Sequence, residues 1–301
     1  MDKIKAALSG KSKRSSMAAP SNTTTPATTS STTTKPVATT PAVADAPATK
    51  APVAATAPAT TTPATTTSTT PATAATKKAE KPIKLYSHAG GPNPWKVAII
   101  MNELSIPYET ILKDFGDLKK EPFEAINPNG RVPAIEDPNT GATVWESGAI
   151  IEYLLETYDG AHTLSYTDTT DRIESRCWFH LQLSGQGPYF GQKAWFTLYH
   201  PEKIESCQER YGNEIKRVIG VIDLHLKKTG NEYLVGSKCT YADLAFVPWH
   251  WLILFPPHLM GEDFAAEWEK EFPAAWAWNE RLQARPSVAK AREERKTAMG
   301  Q

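Results

Sequence analysis

From Met17 to Thr76 the chain is built almost entirely of Thr, Ala, Pro, Ser and Val, and no Leu, Ile, Phe, Trp or Tyr occurs in that stretch. Such a segment has too little apolar surface to offset the entropy lost on ordering, so it is expected to remain disordered, with its prolines favouring extended conformations. This one feature confines folding to the part of the 301-residue chain after about residue 80. The same composition would suit a glycosylated stalk on a secreted chain, but no hydrophobic signal core precedes it. The residues ahead of it carry Lys3, Lys5, Lys11, Lys13 and Arg14 against Asp2, with Ile4 and Leu8 on one helical face. They read as a solvated basic tail or, alternatively, as an organelle-targeting or membrane-surface segment.

Charge and cysteine usage narrow the function classes. Lys plus Arg and Asp plus Glu both number 33, so the excess positive charge that a nucleic-acid binder needs is missing. Cys177, Cys207 and Cys239 lie far apart with no CxxC pair, which argues against a disulfide framework and for a reducing, cytoplasmic setting. No run of 18 or more apolar residues suggests a membrane span. The seven histidines show no metal-ligand spacing, so no metal is expected.

Beyond residue 80, two patterns follow one another. The first alternates strand and helix signals: strands at 84–87, 108–112, 132–136 and 143–145, with helices at 94–104 and 148–158. This is a strand–helix–strand unit followed by strand–strand–helix, an α/β domain over residues 81–160. The second, over residues 168–295, lacks strand alternation and carries long amphipathic stretches, including 170–184 and 201–228. It reads as an all-helical domain.

Three short segments of the first domain can carry chemistry. In the run SHAGGPNPWK, residues 87–96, Asn is a favoured N-cap and Pro a favoured first helical residue. Asn93 is therefore expected to cap a helix opened by Pro94. Its NH2 group would be free to donate beside the positive end of that helix, where an anion such as a thiolate is favoured; read alone, it is equally a cap and nothing else. In the run NPNGRVPAI, residues 127–135, Pro133 cannot donate to a sheet ladder. It is an edge-strand proline, or a cis proline that leaves the Val132 backbone free for an extended ligand. In the run WESGAI, residues 145–150, Ser147 is a natural N-cap whose helix start could hold a carboxylate, with Glu146 beside it for an ammonium. A capped helix beside a surface Glu fits the same letters.

Taken together and in order, the runs SHAGGPNPWKVAII, NPNGRVPAIEDP and WESGAIIEYL closely resemble cytosolic glutathione transferases over about residues 82–295. The run LSGQGPYFGQKAWF resembles fungal members related to the yeast nitrogen-catabolite regulator. The resemblance implies a thioredoxin-like N-terminal domain and an all-α C-terminal domain, following the disordered tail. It implies glutathione as co-substrate, with Val132 and cis Pro133 at its cysteinyl backbone, Glu146 and Ser147 at its γ-glutamyl group, and Asn93 facing the thiol. Where many relatives place a His for the glycyl carboxylate this chain has Leu118, and Lys119 is the expected replacement, with Lys120 second and Arg131 a further source of charge. Tyr86 and Ser87 are rival thiol donors, because other transferase classes use Tyr or Ser near the end of the first strand.

The electrophile pocket is expected to draw on aromatics of the helical domain: Tyr189 first, beside a Gly-rich break at 185–188, and a second group of Trp249, Trp251 and Phe255. Thr240 to Asp243 reads as a structural capping box. The resemblance implies a homodimer and leaves three roles open: conjugation of an apolar electrophile, hydroperoxide reduction, and glutathione-binding regulation.

Overall fold

The structure, a computed structural model, describes residues 77–301. The basic segment and almost all of the Thr/Ala/Pro-rich tail, with the disorder expected of it, lie outside these residues. Of the last four residues assigned to the tail, Lys77 and Lys78 are exposed, and Ala79 and Glu80 attach to the folded part. The backbone N–H groups of Glu80 and Lys81 donate to Asn139 Oδ1 at 3.1 and 2.9 Å, and Ala79 is buried in the core. Composition over a wide window missed this because the contact depends on one distant Asn.

A four-stranded sheet has the order β2-β1-β3-β4, formed by β1 (Ile83–Ser87), β2 (Tyr108–Leu112), β3 (Ala134–Asp137) and β4 (Ala142–Trp145). β1 pairs parallel with β2 across helix α1 (Pro92–Glu103) and antiparallel with β3; β3 and β4 form a hairpin. Helix α2 (Phe123–Ile126) is too short to have left a periodic signal, and α3 (Ser147–Tyr158) closes the unit.

The helical part begins with α4 (Thr169–Leu181), capped by Asp168, whose carboxylate accepts from the N–H groups of Thr170 and Asp171. The expected Gly-rich break does not occur. A π-helical turn, Gln182–Gln186, joins α4 to α5 (Gly187–Ala194), and a second, Trp195–Tyr199, ends the run. Pro188 has no N–H to give to the carbonyl four residues back, and the wider turn accommodates that loss without a chain break. There follow α6 (Glu205–Thr229), α7 (Tyr241–Leu244), α8 (Val247–Leu254), α9 (Phe264–Glu271), α10 (Pro273–Gln283) and α11 (Pro286–Ala298). Among the described residues no helix is long and apolar enough to cross a membrane.

Helix α1 is the keystone. Pro94 to Met101 are all buried, because the sheet covers one side of the helix and α8 and α11 cover the other. A helix apolar on every face is stable only when so enclosed. Its C-terminal Glu103 is clamped by the Arg285 guanidinium through two hydrogen bonds of 2.6 and 2.7 Å and by the Ser287 hydroxyl. The planar fork of Arg makes this a rigid link between the sheet unit and the helical layer.

The one charged residue in the buried run is Lys96, 1 % exposed. Its Nζ donates to Gln182 Oε1 at 2.8 Å; Gln182 Nε2 donates to Gln186 Oε1 at 2.9 Å, and Gln186 Nε2 to the Phe246 carbonyl at 3.1 Å. This chain of amides lies along the first π-turn and threads the interface. Burial pushes the Lys96 ammonium down to about 7, against an opposing pull from Glu146.

Candidate glutathione site

The start of α1, the loop before β3 and the start of α3 line a cavity of about 220 Å³. Asn93, Val132, Pro133, Glu146 and Ser147, distant in sequence, line it together, and Asn127, Asn129 and Arg131 complete its wall.

Helix α1 starts two residues earlier than the sequence pattern suggests. Gly91 is the N-cap, with φ −77° and ψ 127°, and Pro92 opens the helix. Asn93 therefore does not cap it. Its side chain stands at the second helical position, within the turn whose N–H groups have no partner and carry the positive end of the helix dipole. Asn93 Oδ1 accepts a hydrogen bond from the indole Nε1 of Trp249, at 3.2 Å, across the interface with α8. Asn93 Nδ2 donates to no protein atom among the described residues.

The rival donors are placed elsewhere. The Tyr86 hydroxyl donates to Glu136 Oε2 at 2.6 Å, and burial and this carboxylate push its pKa up to about 12. Ser87 is fully buried, its Oγ has no partner, and it does not line the cavity.

The Val132–Pro133 peptide bond is cis. β3 begins only at Ala134, so Val132 has no place in the sheet register. The loop before it is held by Asn127, whose Nδ2 donates to the Arg131 carbonyl at 2.6 Å and whose Oδ1 accepts from the Asn129 N–H at 2.9 Å. Gly130, with φ +60°, lets this loop pass so close to Leu118 that an added Cβ would lie 2.8 Å from the Leu118 carbonyl oxygen.

Ser147 is not a cap either: it is the first residue of α3 and is 5 % exposed. Glu146 occupies the cap position with φ +69°, a left-handed conformation uncommon for a residue with a Cβ. The Glu146 carboxylate accepts from Asn129 Nδ2 at 3.1 Å. The site thus offers an acceptor at Glu146, a hydroxyl and the N–H groups of a helix start at Ser147, a backbone outside the sheet ladder at Val132 and an amide donor at Asn93. Together these can hold a zwitterionic amino-acid head, a peptide backbone and an anionic sulfur.

Two predicted residues stand apart from it. Lys119 is exposed, with its stem against Gly130, and does not line the cavity, whereas Arg131 does. Leu118 is buried beside Tyr86 and Phe123. Tyr189 is half-buried against Tyr211, ring centroids 6.3 Å apart, and does not line the cavity. Trp249, from the second aromatic group, does not line the cavity either, but its indole N–H holds Asn93, which does. The sequence signal that could have singled it out was weak: it is one of three aromatics within seven residues. A larger groove of about 740 Å³ between β2 and α11 shares no residue with this site. Among the described residues no cluster of His, Cys, Asp and Glu could hold a metal ion.

Residues 85–162 match the family model of the glutathione S-transferase N-terminal domain and residues 191–295 that of the C-terminal domain. The chain belongs to the glutathione S-transferase family. It is 50 % identical over 211 residues to the glutathione S-transferase-like protein OpS6 of Beauveria bassiana, covering 70 % of this chain and 94 % of that protein. Glutathione S-transferase 2 of Schizosaccharomyces pombe is 46 % identical over 222 residues, with 70 % and 94 % covered. Among solved structures, the glutathione transferase URE2P6 of Phanerochaete chrysosporium, crystallised with oxidised glutathione, is 45 % identical with a TM-score of 0.67, covering 73 % of this chain and 98 % of that one.

Proposed function

We propose that this chain binds glutathione in the 220 Å³ cavity and activates its thiol for attack on an apolar electrophile. The observation that carries the reading is the convergence of Asn93, Val132–Pro133 and Glu146–Ser147 on one small cavity from three separate segments. In this reading Glu146 accepts the γ-glutamyl ammonium, and Ser147 with the start of α3 takes the α-carboxylate. The free backbone of Val132 pairs with the cysteinyl backbone. Arg131, on the cavity wall, takes the glycyl carboxylate in preference to Lys119, which reaches the ligand only if its stem leaves Gly130.

Asn93 supplies the thiolate contact. A free thiol titrates near pH 8.5, so only a few per cent is thiolate at neutral pH. One charge-assisted hydrogen bond is worth about 1.5–3 kcal/mol, and about 1.4 kcal/mol lowers a pKa by one unit. A single amide donor therefore lowers the thiol pKa by one or two units. An amide cannot take the proton, which passes to water or to a carboxylate of glutathione itself. The thiolate then forms the carbon–sulfur bond and the leaving group departs with its electron pair. The family resemblance extends the reading to a homodimer acting in the cytoplasm.

The test is a glutathione assay on the full chain with an aryl halide and, separately, a hydroperoxide. Conjugation of the aryl halide supports the reading. Turnover of the hydroperoxide alone replaces it with a peroxidase, and glutathione binding with neither activity replaces it with a regulatory role.

A further inference from the structure

The indole of Trp249 has one polar atom, an N–H that can only donate, whereas the Asn93 amide has two ends of opposite character. The 3.2 Å contact between Trp249 Nε1 and Asn93 Oδ1 thus decides which end faces the cavity. With the oxygen held by the indole, only the NH2 group is left to point at a ligand. In the flipped amide, the NH2 would oppose the indole N–H and the carbonyl oxygen would face the sulfur. Both contacts are repulsive, one between two donors and one between an acceptor and an anion.

The indole is itself held. Trp249 is 6 % exposed. It lies against the side-chain-free faces of Gly187 and Gly191 on α5, where an added Cβ would stand 3.8 Å from Nε1 and 3.4 Å from Cη2. The Phe190 ring meets it edge-on, with centroids 6.3 Å apart. The ring therefore has one place to be, and its N–H one direction.

We infer that Trp249 is a positioning residue for thiol activation: the helical layer, through its indole N–H, locks the Asn93 amide with its donor toward the glutathione sulfur. This rests on the reading that Asn93 faces the thiol. It makes the helical layer part of the activation device, because the donor in the thioredoxin-like domain is oriented by a residue more than 150 positions away.

The experiment compares pH–rate profiles of kcat/KM in the full chain for wild type, Asn93→Ala, Trp249→Phe and the double variant. Trp249→Phe keeps an aromatic ring and removes the donor. At the value of one ordinary hydrogen bond, kcat/KM should fall about three- to tenfold on the acid side. The profile should move toward higher pH in the direction of Asn93→Ala, with glutathione affinity little changed. In the Asn93→Ala background the Trp249→Phe change should have no further effect, which a merely structural role would not give. If Trp249→Phe fails to fold, benzothienylalanine at position 249 keeps the shape of indole and replaces only the N–H by sulfur; the same shift is expected. A shifted profile for Asn93→Ala with an unshifted one for Trp249→Phe or its analogue overturns the inference and leaves the thiol reading standing. An unshifted profile for Asn93→Ala overturns both.

Discussion

Replacing Lys96 by Met removes a charge that the fold encloses and keeps most of the side chain's volume. The ammonium, 1 % exposed, has one protein hydrogen bond, to Gln182, and burial lowers its pKa from 10.5 to about 7. The folded pKa lies below the unfolded one. Between these values the unfolded chain binds more protons, so stability rises with pH across that window. At about 1.4 kcal/mol per pH unit, the buried ammonium opposes folding by about 5 kcal/mol below pH 7 and by about 2 kcal/mol at about pH 9. Lys96→Met removes this opposition but leaves Gln182 Oε1 without its donor, a cost of about 1–3 kcal/mol at every pH. The difference between the two pH values is free of that cost. Urea unfolding of both full chains should show the stability of Lys96→Met relative to wild type falling by about 3 kcal/mol between about pH 6 and about pH 9. A gap that does not change with pH would mean that the ammonium keeps its solvation in the fold, and would refute the reasoning.

Three further substitutions test separate parts of the account. Glu103→Gln should destabilise the chain by about 2–3 kcal/mol at neutral pH, measured by urea midpoint, because it breaks the bond pair to Arg285. Burial alone would raise the Glu103 pKa, but Arg285 and Ser287 hold it below the usual carboxylate value. The gap should therefore close as pH falls through that lowered value. Thr240→Ala removes the cap on Ala242 N–H in a complete capping box; it should cost about 0.5–2 kcal/mol with unchanged glutathione affinity by calorimetry. Gly130→Ala puts a Cβ against the Leu118 carbonyl at a positive φ. It should raise the KM for glutathione with little change in kcat, and lower stability by about 1–3 kcal/mol.

Much of this was legible in the sequence, for reasons that differ from element to element. β2 was readable to the residue because β-branched and aromatic side chains fill a short window between turns. The helix starts were read one or two residues off. In the run Gly91-Pro92-Asn93-Pro94 two prolines compete for the first helical position, and Pro92 takes it. Asn93 so became a second-position side chain instead of a cap, which turned its amide from the helix end toward the cavity and Trp249. The Gly-rich run at 185–188 looked like a break because glycine and proline end most helices, but enclosure by neighbouring helices lets a π-turn absorb them. Lys96 gave no sign of burial: a lysine in an apolar run is usually at its solvent edge, and its partner Gln182 lies 86 residues away in the π-turn that meets it only in the fold. Long-range pairs such as Glu103–Arg285 and Asn93–Trp249 have no local signature at all.

The central claim is that an amide at position 93, and no general base, draws the glutathione thiol toward its anion. Ultraviolet titration of the thiolate of glutathione bound to the full chain tests this most directly. The account predicts a bound thiol pKa one to two units below that of free glutathione, returning toward the free value in Asn93→Ala while the affinity for glutathione stays nearly constant. A bound thiol that titrates as it does in water, or one lowered equally in wild type and Asn93→Ala, would contradict it.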